Sequence, residues 1–451
     1  MKVFIAPWGA PEKWGEITYQ YDGDTRKSKS DLPLIKEKEN PDKIFIIVSD
    51  TLIDLDSVFN SISKDSSYSD LRQKVKDYIT NDFCKGKLGI LPDDVIVSYG
   101  FGEFKNVKFF GNAMDFYYGV LKELSFKFSQ LLKGVGNEEK IEVIFDATHG
   151  INYTTLLSYR ALKDILEILA YGFDVRMKVL NADPYVSGLE EKGIFNINVI
   201  EDTKILPRIL VYNDSREPIR LFKGIKEDSF KEKLGKEISD FFDSIFSDGY
   251  LEYRKKVMVF LGSLLFALPV FLISYMQSSD ELFDKIERIS QKFEEKISVS
   301  TDGKFEIERE IQFSESFANF VKAFLVSSVL EKLGFERMEE VPLTVIKELK
   351  RKIFDGKFQV ESKRIDDEID KIENLPRNGH LLYEDYRAYY SIVDKDYKPA
   401  PKPDKRNFFA HAGFEKNVIS LCKKNNDIYI RIIKDNRKIS ENLIINDISK
   451  I

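Results

Sequence analysis

The sequence predicts an α/β, Rossmann-like N-terminal domain followed by a mainly α-helical C-terminal domain. Three observations predict it. Over residues 1–215, short and nearly continuous apolar runs alternate with helical spacing, as in a parallel sheet covered on both faces. Beyond residue 251 the apolar residues recur mostly at three- and four-residue intervals, the period of helices. The chain of 451 residues also exceeds what one hydrophobic core supports, so at least two domains are expected, with a helical connector over 216–250.

Composition narrows the function classes. Hydrophobic residues make up 43% of the chain, enough for a sizeable core and against wholesale disorder. The 69 basic and 75 acidic residues leave a net charge of −6, so no global field draws the chain onto nucleic acid and any RNA contact is local. Cys84 and Cys422 offer neither a disulfide framework nor a zinc pattern and suit a reducing compartment. The opening MKVFIAPWGAP lacks a signal peptide's apolar core, so a cytoplasmic location is expected.

In chain order, the expected strands are Lys2 to Ala6, Lys43 to Ser49, Asp94 to Gly100, Lys140 to Ala147 and Asp174 to Ala182. Helices fall at Gly111 to Lys133 and Ile151 to Tyr171, the second with Leu156, Tyr159, Leu162, Ile165, Leu166 and Leu169 on one broad face. In a doubly wound sheet, ligands sit beyond the carboxyl ends of the strands, which directs attention to the loops there. The loop after the first strand holds Trp8, Gly9 and Trp14, with Tyr19 and Tyr21 close behind. Such a cluster is either a packing lid or a surface on which bases stack, worth about 1–3 kcal/mol per base. The loop after the fourth strand, Asp146 to Thr155, runs straight into a helix. Thr148, Asn152 and Thr154 can cap that helix; the same helix start, with Gly150 and His149, can equally hold an anion or nucleotide. His149 taken by itself reads as a satisfied structural histidine. Ile205 to Asn213 reads as edge strands closing the domain, and Glu227 to Phe246 as a charged amphipathic connector.

The uncharged run Val257 to Ser279 is long enough for a membrane span, with Arg254, Lys255 and Lys256 before it and Asp280 and Glu281 after it. Gly262, Ser263, Pro269 and Ser274 interrupt it and no second span exists, so a helix buried in the C-terminal domain and at a subunit contact is favoured. Glu281 to Ile297, Phe313 to Leu333 and Leu343 to Phe354 follow as helices. Ser362 to Tyr390 is densely charged and looks inserted or peripheral, and Lys398 to Pro403 is stiff and extended. Arg406 to Cys422 reads as one helix of about 15 residues, and Asp427 to Asp447 as a terminal hairpin turning near Asn436.

Chemistry concentrates in Arg406 to His411, RNFFAH. Of the three histidines, His411 alone pairs with a nearby cation in a helical setting; His380 follows Arg377, but Pro376 and Gly379 mark a turn there. The ordinary reading is a buried His411 with Arg406 in a salt bridge elsewhere. The chemical reading is metal-independent RNA cleavage, in which a group near pKa 6.5 assists attack of a 2′-hydroxyl, worth about 10²- to 10⁴-fold. Arg406 would hold the phosphate and Asn407 orient it. In-line cleavage profits from a base and an acid, and a two-fold dimer would supply both from two copies of His411. No His-Glu-x-x-His, Cys-x-x-Cys pair, Gly-x4-Gly-Lys-Ser/Thr or Gly-x-Ser-x-Gly competes.

The Trp-rich first loop, the DATHG loop and the C-terminal RNxxxH together resemble the CRISPR-associated ribonucleases of type III systems. These join a CRISPR-associated Rossmann fold (CARF) sensor to a HEPN nuclease domain, whose signature is Arg, four to six residues, then His. The resemblance implies that Arg406, Asn407 and His411 form one half of a composite, metal-independent site. Two copies would cleave single-stranded RNA to a 2′,3′-cyclic phosphate in antiviral defence. It implies no cofactor, but an allosteric activator, a cyclic oligoadenylate and first of all cyclic tetra-adenylate, bound across paired CARF domains. Its contacts would be Trp8, Gly9, Trp14, Ser49, Asp50, Thr51, Thr148, His149, Gly150, Asn152 and Tyr153. The implied assembly is a homodimer at least, extending to a hexamer as a trimer of dimers, with no membrane. An insertion in the HEPN domain would fall at about 335–403. The alternative is a non-catalytic nucleotide-sensing regulator whose helical domain dimerises or binds partners.

Overall fold

A computed structural model describes residues 1–63, 65–136, 140–184, 193–213, 221–225, 234–301, 304–394, 396–398 and 402–448. Ten strands arise from the N-terminal half: β1 (Lys2–Trp8), β2 (Ile17–Tyr21), β3 (Asp24–Ser28), β4 (Lys43–Ser49), β5 (Asp94–Ser98), β6 (Gly102–Glu103), β7 (Val107–Phe110), β8 (Lys140–Asp146), β9 (Asp174–Ala182) and β10 (Ile194–Lys204). Eight form one sheet in the order β3-β2-β10-β9-β8-β1-β4-β5. Its centre, β9-β8-β1-β4-β5, is parallel throughout, as the five expected strands require. β1 and β4 are buried along almost their whole length because their apolar residues meet cover on both faces.

One expectation at the sheet's far side is corrected. Ile205 to Asn213 forms no strand; β10 just before it runs antiparallel to β9, and β2 and β3 carry the sheet on to its edge. Most side chains of β10 face solvent, so it lacked the apolar run that marks a buried strand. The β2–β3 hairpin turns at Asp22 and Gly23, both with positive φ.

The two halves interlock. The helix Ala113–Leu132 packs on Asn152–Leu169 and also on Glu315–Lys332 of the second half. β11 (Phe222–Gly224) pairs with β14 (Ile311–Phe313), and β12 (Ile297–Ser300) with β13 (Phe305–Arg309), which in turn pairs in parallel with β7. One small sheet therefore contains strands from both halves of the chain.

The uncharged run is a broken helix buried in the core, Tyr250–Leu265 then Pro269–Ser274, with Ala267 at φ +54° and Pro269 opening the second piece. Val257 to Leu261 are fully buried. Gly262 lets the closing helix approach, since a Cβ there would stand 2.5 Å from Ile444 Cγ2. No helix among the described residues is long and apolar enough to cross a membrane.

The C-terminal end departs from expectation. The helix at RNFFAH spans only Lys405–Ala410, because Ala412 (φ +47°) and Gly413 (φ +80°) end it. A hairpin of β17 (Ile419–Lys424) and β18 (Asp427–Ile432) follows, turning at Asn425 and Asn426, both left-handed. β15 (Val341–Pro342) and β16 (Arg387–Ala388) flank it. Lys434–Ile448, expected as the return strand of a hairpin, is a helix. Part of the charged connector (226–233) and of the extended segment (399–401) lies outside the described residues. The connector's remainder, Gly235–Ile245, is helical.

Asp115, in the first turn of Ala113–Leu132, accepts a hydrogen bond from the Phe313 backbone N–H at 2.9 Å, and its other oxygen has no partner among the described residues. Burial pushes its carboxyl up to about 7. A carboxyl with a raised folded-state pKa destabilises progressively as pH rises from its unfolded value to that folded value. Asp115→Asn removes this penalty, so the melting temperature of the variant relative to wild type should move in the variant's favour by several degrees between pH 5 and pH 8. A gap that does not change with pH would show that Asp115 is ionised at no cost.

Candidate functional site

Two sites emerge, one at the carboxyl end of the large sheet and one at RNFFAH. At the sheet, the loops after β1 and β8 are stitched together by the Gly9 N–H, which donates to the His149 carbonyl at 2.9 Å. A Cβ on Gly9 would fall 2.1 Å from Ile151 Cδ1, so only glycine allows this approach without displacing Ile151. Trp14 stacks on the His149 ring at 4.0 Å between centroids. His149 Nε2 lies 3.2 Å from the Tyr19 hydroxyl and 3.5 Å from Asp31.

Beneath this platform Asp31 and Asp146 are wholly buried. Burial pushes Asp31 up to about 6 and Asp146 well above the usual carboxylate range, Asp31 adding to the latter effect. Burial drives His149 the other way, down to about 4 against the opposing pull of Asp146. The imidazole is thus neutral at pH 7, a flat uncharged ring stacked on an indole. Above it opens a cavity of about 500 Å³ lined by Lys13, Trp14, Tyr19, Lys29, Thr148, His149, Gly150, Ile151, Asn181 and Asp183. Aromatic faces beside two ammonium groups suit stacked bases and their phosphates.

Nine of the eleven expected contacts separate into three groups, while Gly9 serves in the backbone bond to His149 and Thr51 under the Ser49 cap. Trp14, Thr148, His149 and Gly150 meet at the cavity. Asn152, exposed, and Tyr153 stand at a neighbouring rim, where the Phe101 N–H donates to the Tyr153 hydroxyl at 3.3 Å. Trp8, Ser49 and Asp50 are buried and do not face the cavity. Trp8 instead packs edge-on against Trp14 and Phe83. The Ser49 hydroxyl caps Thr51, accepting from its N–H at 3.2 Å and its hydroxyl at 2.9 Å. Thr148 bridges to β9, accepting from the Ala182 N–H at 3.0 Å, while Thr154 caps the following helix at Ile151. Lys13 and Lys29 went unmarked in the sequence; Lys13, between the two tryptophans, carried a positional signal, whereas Lys29 carried none.

Asp50 has a different task. Its carboxylate accepts from the Gly100 N–H at 2.6 Å and the Tyr68 hydroxyl at 2.7 Å, and it forms an ion pair with Arg309. Both side chains of the pair are fully buried, and Arg309 also donates to the Gly100 carbonyl. Asp50 follows β4 and Arg309 ends β13, so the sheet's ligand end is tied to the second half of the chain.

At RNFFAH, Phe408 is buried against Phe271 and Phe409 packs on Phe266. These rings anchor one side of the short helix and leave Arg406, Asn407 and His411 outward. Asp404 caps the helix, accepting from the Asn407 N–H at 2.8 Å. At about 100° per residue, Asn407 and His411 share a face, while Arg406 points about 140° away from His411. His411 is not the buried histidine of the ordinary reading: its side chain is 39% exposed. Arg406 is exposed and makes no ion pair among the described residues.

His411 Nδ1 stands 2.8 Å from Glu368 Oε1. Glu368 belongs to the helix Gln359–Glu373, which buries Ile365, Ile369 and Ile372 and so is packed into the domain, not peripheral to it. Arg364 of the same helix donates to the carbonyls of Phe409 at 2.9 Å and Phe266 at 2.7 Å, fixing both elements together. A cavity of about 470 Å³ opens beside His411, bordered by Gln359, Val360, Lys363, Asp367, Glu368 and Lys371. Glu368 was missed in the sequence, where it lay within a charged stretch read as an insertion.

The models of the CRISPR system endoribonuclease Csx1 match the chain twice, the CARF domain at residues 3–184 and the HEPN domain at 358–435. A CRISPR system endoribonuclease Csx1 from Methanocaldococcus jannaschii is 33% identical over 453 residues, covering 97% of this chain and 89% of the relative. The chain belongs to the Csx1 family. The residues lining the cavity above Trp14 and His149 all fall inside the Csx1 CARF match, and both His411 and Glu368 fall inside the Csx1 HEPN match. Among solved structures, Enterococcus italicus Csm6 bound to cyclic hexa-2′-fluoro-hexa-dAMP aligns over 99% of this chain and 94% of its own, with 10% identity and a TM-score of 0.23, too loose a superposition to carry an argument.

Gly100 tests the buried network. A Cβ there would stand 2.0 Å from Ser49 Oγ and 2.5 Å from Thr51 Cγ2. Gly100→Ala should therefore destabilise the protein by about 1–3 kcal/mol in denaturant unfolding, the usual effect of overpacking a close site. An unchanged unfolding midpoint would show that the loop yields freely.

Proposed function

We propose that the protein is an endoribonuclease that cleaves single-stranded RNA without a metal ion and is switched on by a cyclic oligoadenylate, cyclic tetra-adenylate foremost. The observation that carries the reading is that Asn407 and His411 share one outward face of a short helix anchored by Phe408 and Phe409, with Arg406 exposed on the same helix. His411 takes the 2′-hydroxyl proton as its oxygen attacks the adjacent phosphorus; the 5′-oxygen leaves, and the product end is a 2′,3′-cyclic phosphate. Arg406 neutralises charge growing on the phosphoryl oxygens, and Asn407, on the His411 face, orients the phosphate. His411 of a second copy protonates the leaving oxygen, so the working unit is at least a homodimer, able to assemble further into a hexamer.

The activator occupies the cavity at Trp14 and His149, its bases on the aromatic platform and its phosphates at Lys13 and Lys29. Its presence is felt at RNFFAH through the Asp50–Arg309 pair, which joins the loop beside Tyr153 to β13. A regulator without catalysis would need Arg406 and His411 as structural residues, and their exposure speaks against that.

RNA turnover in the presence of a chelator, with a panel of cyclic oligoadenylates, tests the reading. Cyclic tetra-adenylate should accelerate cleavage strongly, and His411→Ala should lower the rate by about 10²- to 10⁴-fold; full activity in that variant would refute the assignment. Trp14→Ala should raise the activator concentration needed for half-maximal cleavage about tenfold while leaving the maximal rate near wild type, as expected for loss of one stacked base.

A further inference from the structure

We propose that Glu368 is a positioning residue for His411, holding the imidazole in the one tautomer that can act as base. The inference rests on the reading of His411 as the group that takes the 2′-hydroxyl proton. It begins with the 2.8 Å contact between His411 Nδ1 and Glu368 Oε1. An ionised carboxylate can only accept hydrogen bonds, so Nδ1 must carry the hydrogen and Nε2 keeps its lone pair. The opposite tautomer would set a nitrogen lone pair against a carboxylate oxygen.

The ring is held in place from several sides. Glu368 is 5% exposed, and Lys371 contacts the same oxygen at 2.6 Å, so the carboxylate does not swing towards water. Ile365 and Ile369 bury the helix on which it sits, and Arg364 ties that helix to the Phe409 carbonyl two residues before His411. With Nδ1 engaged, Nε2 is the nitrogen left for substrate, and His411 borders the cavity of about 470 Å³. When the 2′-oxygen bonds to phosphorus and the 5′-oxygen departs, the proton passes to His411 Nε2. The imidazolium so formed keeps its Nδ1–H on Glu368, whose negative charge is stronger support for the cation than for the neutral ring. Glu368 touches neither substrate nor the reacting atoms; it acts through His411.

Single-turnover RNA cleavage at saturating cyclic tetra-adenylate, over a range of RNA concentration, tests this in wild type, Glu368→Ala, Glu368→Gln, His411→Ala and the double variant Glu368→Ala/His411→Ala. The expected result is a maximal rate about 10²-fold lower in Glu368→Ala, with half-saturating RNA concentration little changed, the effect of a misplaced reacting group. Glu368→Gln, which can still accept from Nδ1–H, should recover part of that loss. In the His411→Ala background, removing Glu368 should cost nothing further. A near-wild-type rate in Glu368→Ala, or an undiminished additional loss in the double variant, would overturn the proposal. Should Glu368→Ala fail to fold, Glu368→Gln carries the test: a lowered maximal rate that vanishes as a difference in the His411→Ala background supports it, and a wild-type rate overturns it. Full activity in His411→Ala would instead refute the catalytic reading itself, a separate outcome.

Discussion

The buried ion pair of Asp50 and Arg309 is the constraint on which the arrangement of this molecule depends. Two charges removed wholly from water are tolerated only when their hydrogen-bonding capacity is met, and here it largely is: Gly100 and Tyr68 donate to Asp50, and Arg309 donates to the Gly100 carbonyl. Breaking such a pair from one side costs about 3–5 kcal/mol, because the remaining charge is left without a partner. The pair therefore fixes where β13 lies against the carboxyl end of the large sheet. It also explains why β7 and β13 can share a small sheet although they come from different halves of the chain.

The same logic of anchoring one face to free another shapes the nuclease end. Phe408 and Phe409 supply the burial, so Arg406, Asn407 and His411 need not take part in packing. The broken helix Tyr250–Leu265 and Pro269–Ser274 supplies their apolar seat, with Phe266 and Phe271 at the break. What began as an uncharged run long enough for a membrane is the internal wall against which the RNFFAH helix rests.

Legibility from the sequence followed the range of the forces involved. The parallel strands β1, β4, β5 and β8 were legible because burial on both faces writes itself as a nearly continuous apolar run, and β9 because its buried residues alternate with exposed ones. β10 was not, since Asn196 and Asn198 interrupt its apolar residues, its end is polar, and even Ile194, Val199 and Ile200 face solvent. At the C-terminus the hairpin was anticipated one element too late: the decisive turn is Asn425–Asn426, where asparagine tolerates positive φ, and not Asn436. The motif itself could be read, because RNFFAH is local. Its partner Glu368 lies 43 positions away and Arg309 lies 259 from Asp50, separations that no periodicity records. In the loop after β1, spacing placed Trp8 and Trp14 together but could not tell which ring faces inward; Trp8 is buried while Trp14 stacks on His149 at the cavity.

The proposed control of RNFFAH by the cavity at Trp14 and His149 runs through that buried pair. The most direct measurement sets cyclic tetra-adenylate binding beside activator-stimulated RNA cleavage in Arg309→Lys, which keeps the charge but loses the planar fork that spans Asp50 and Gly100. Signalling through the pair should leave binding close to wild type and reduce stimulation of cleavage about tenfold or more, a coupling of the usual 1–3 kcal/mol. Stimulation equal to wild type in a variant that still binds the activator would contradict it.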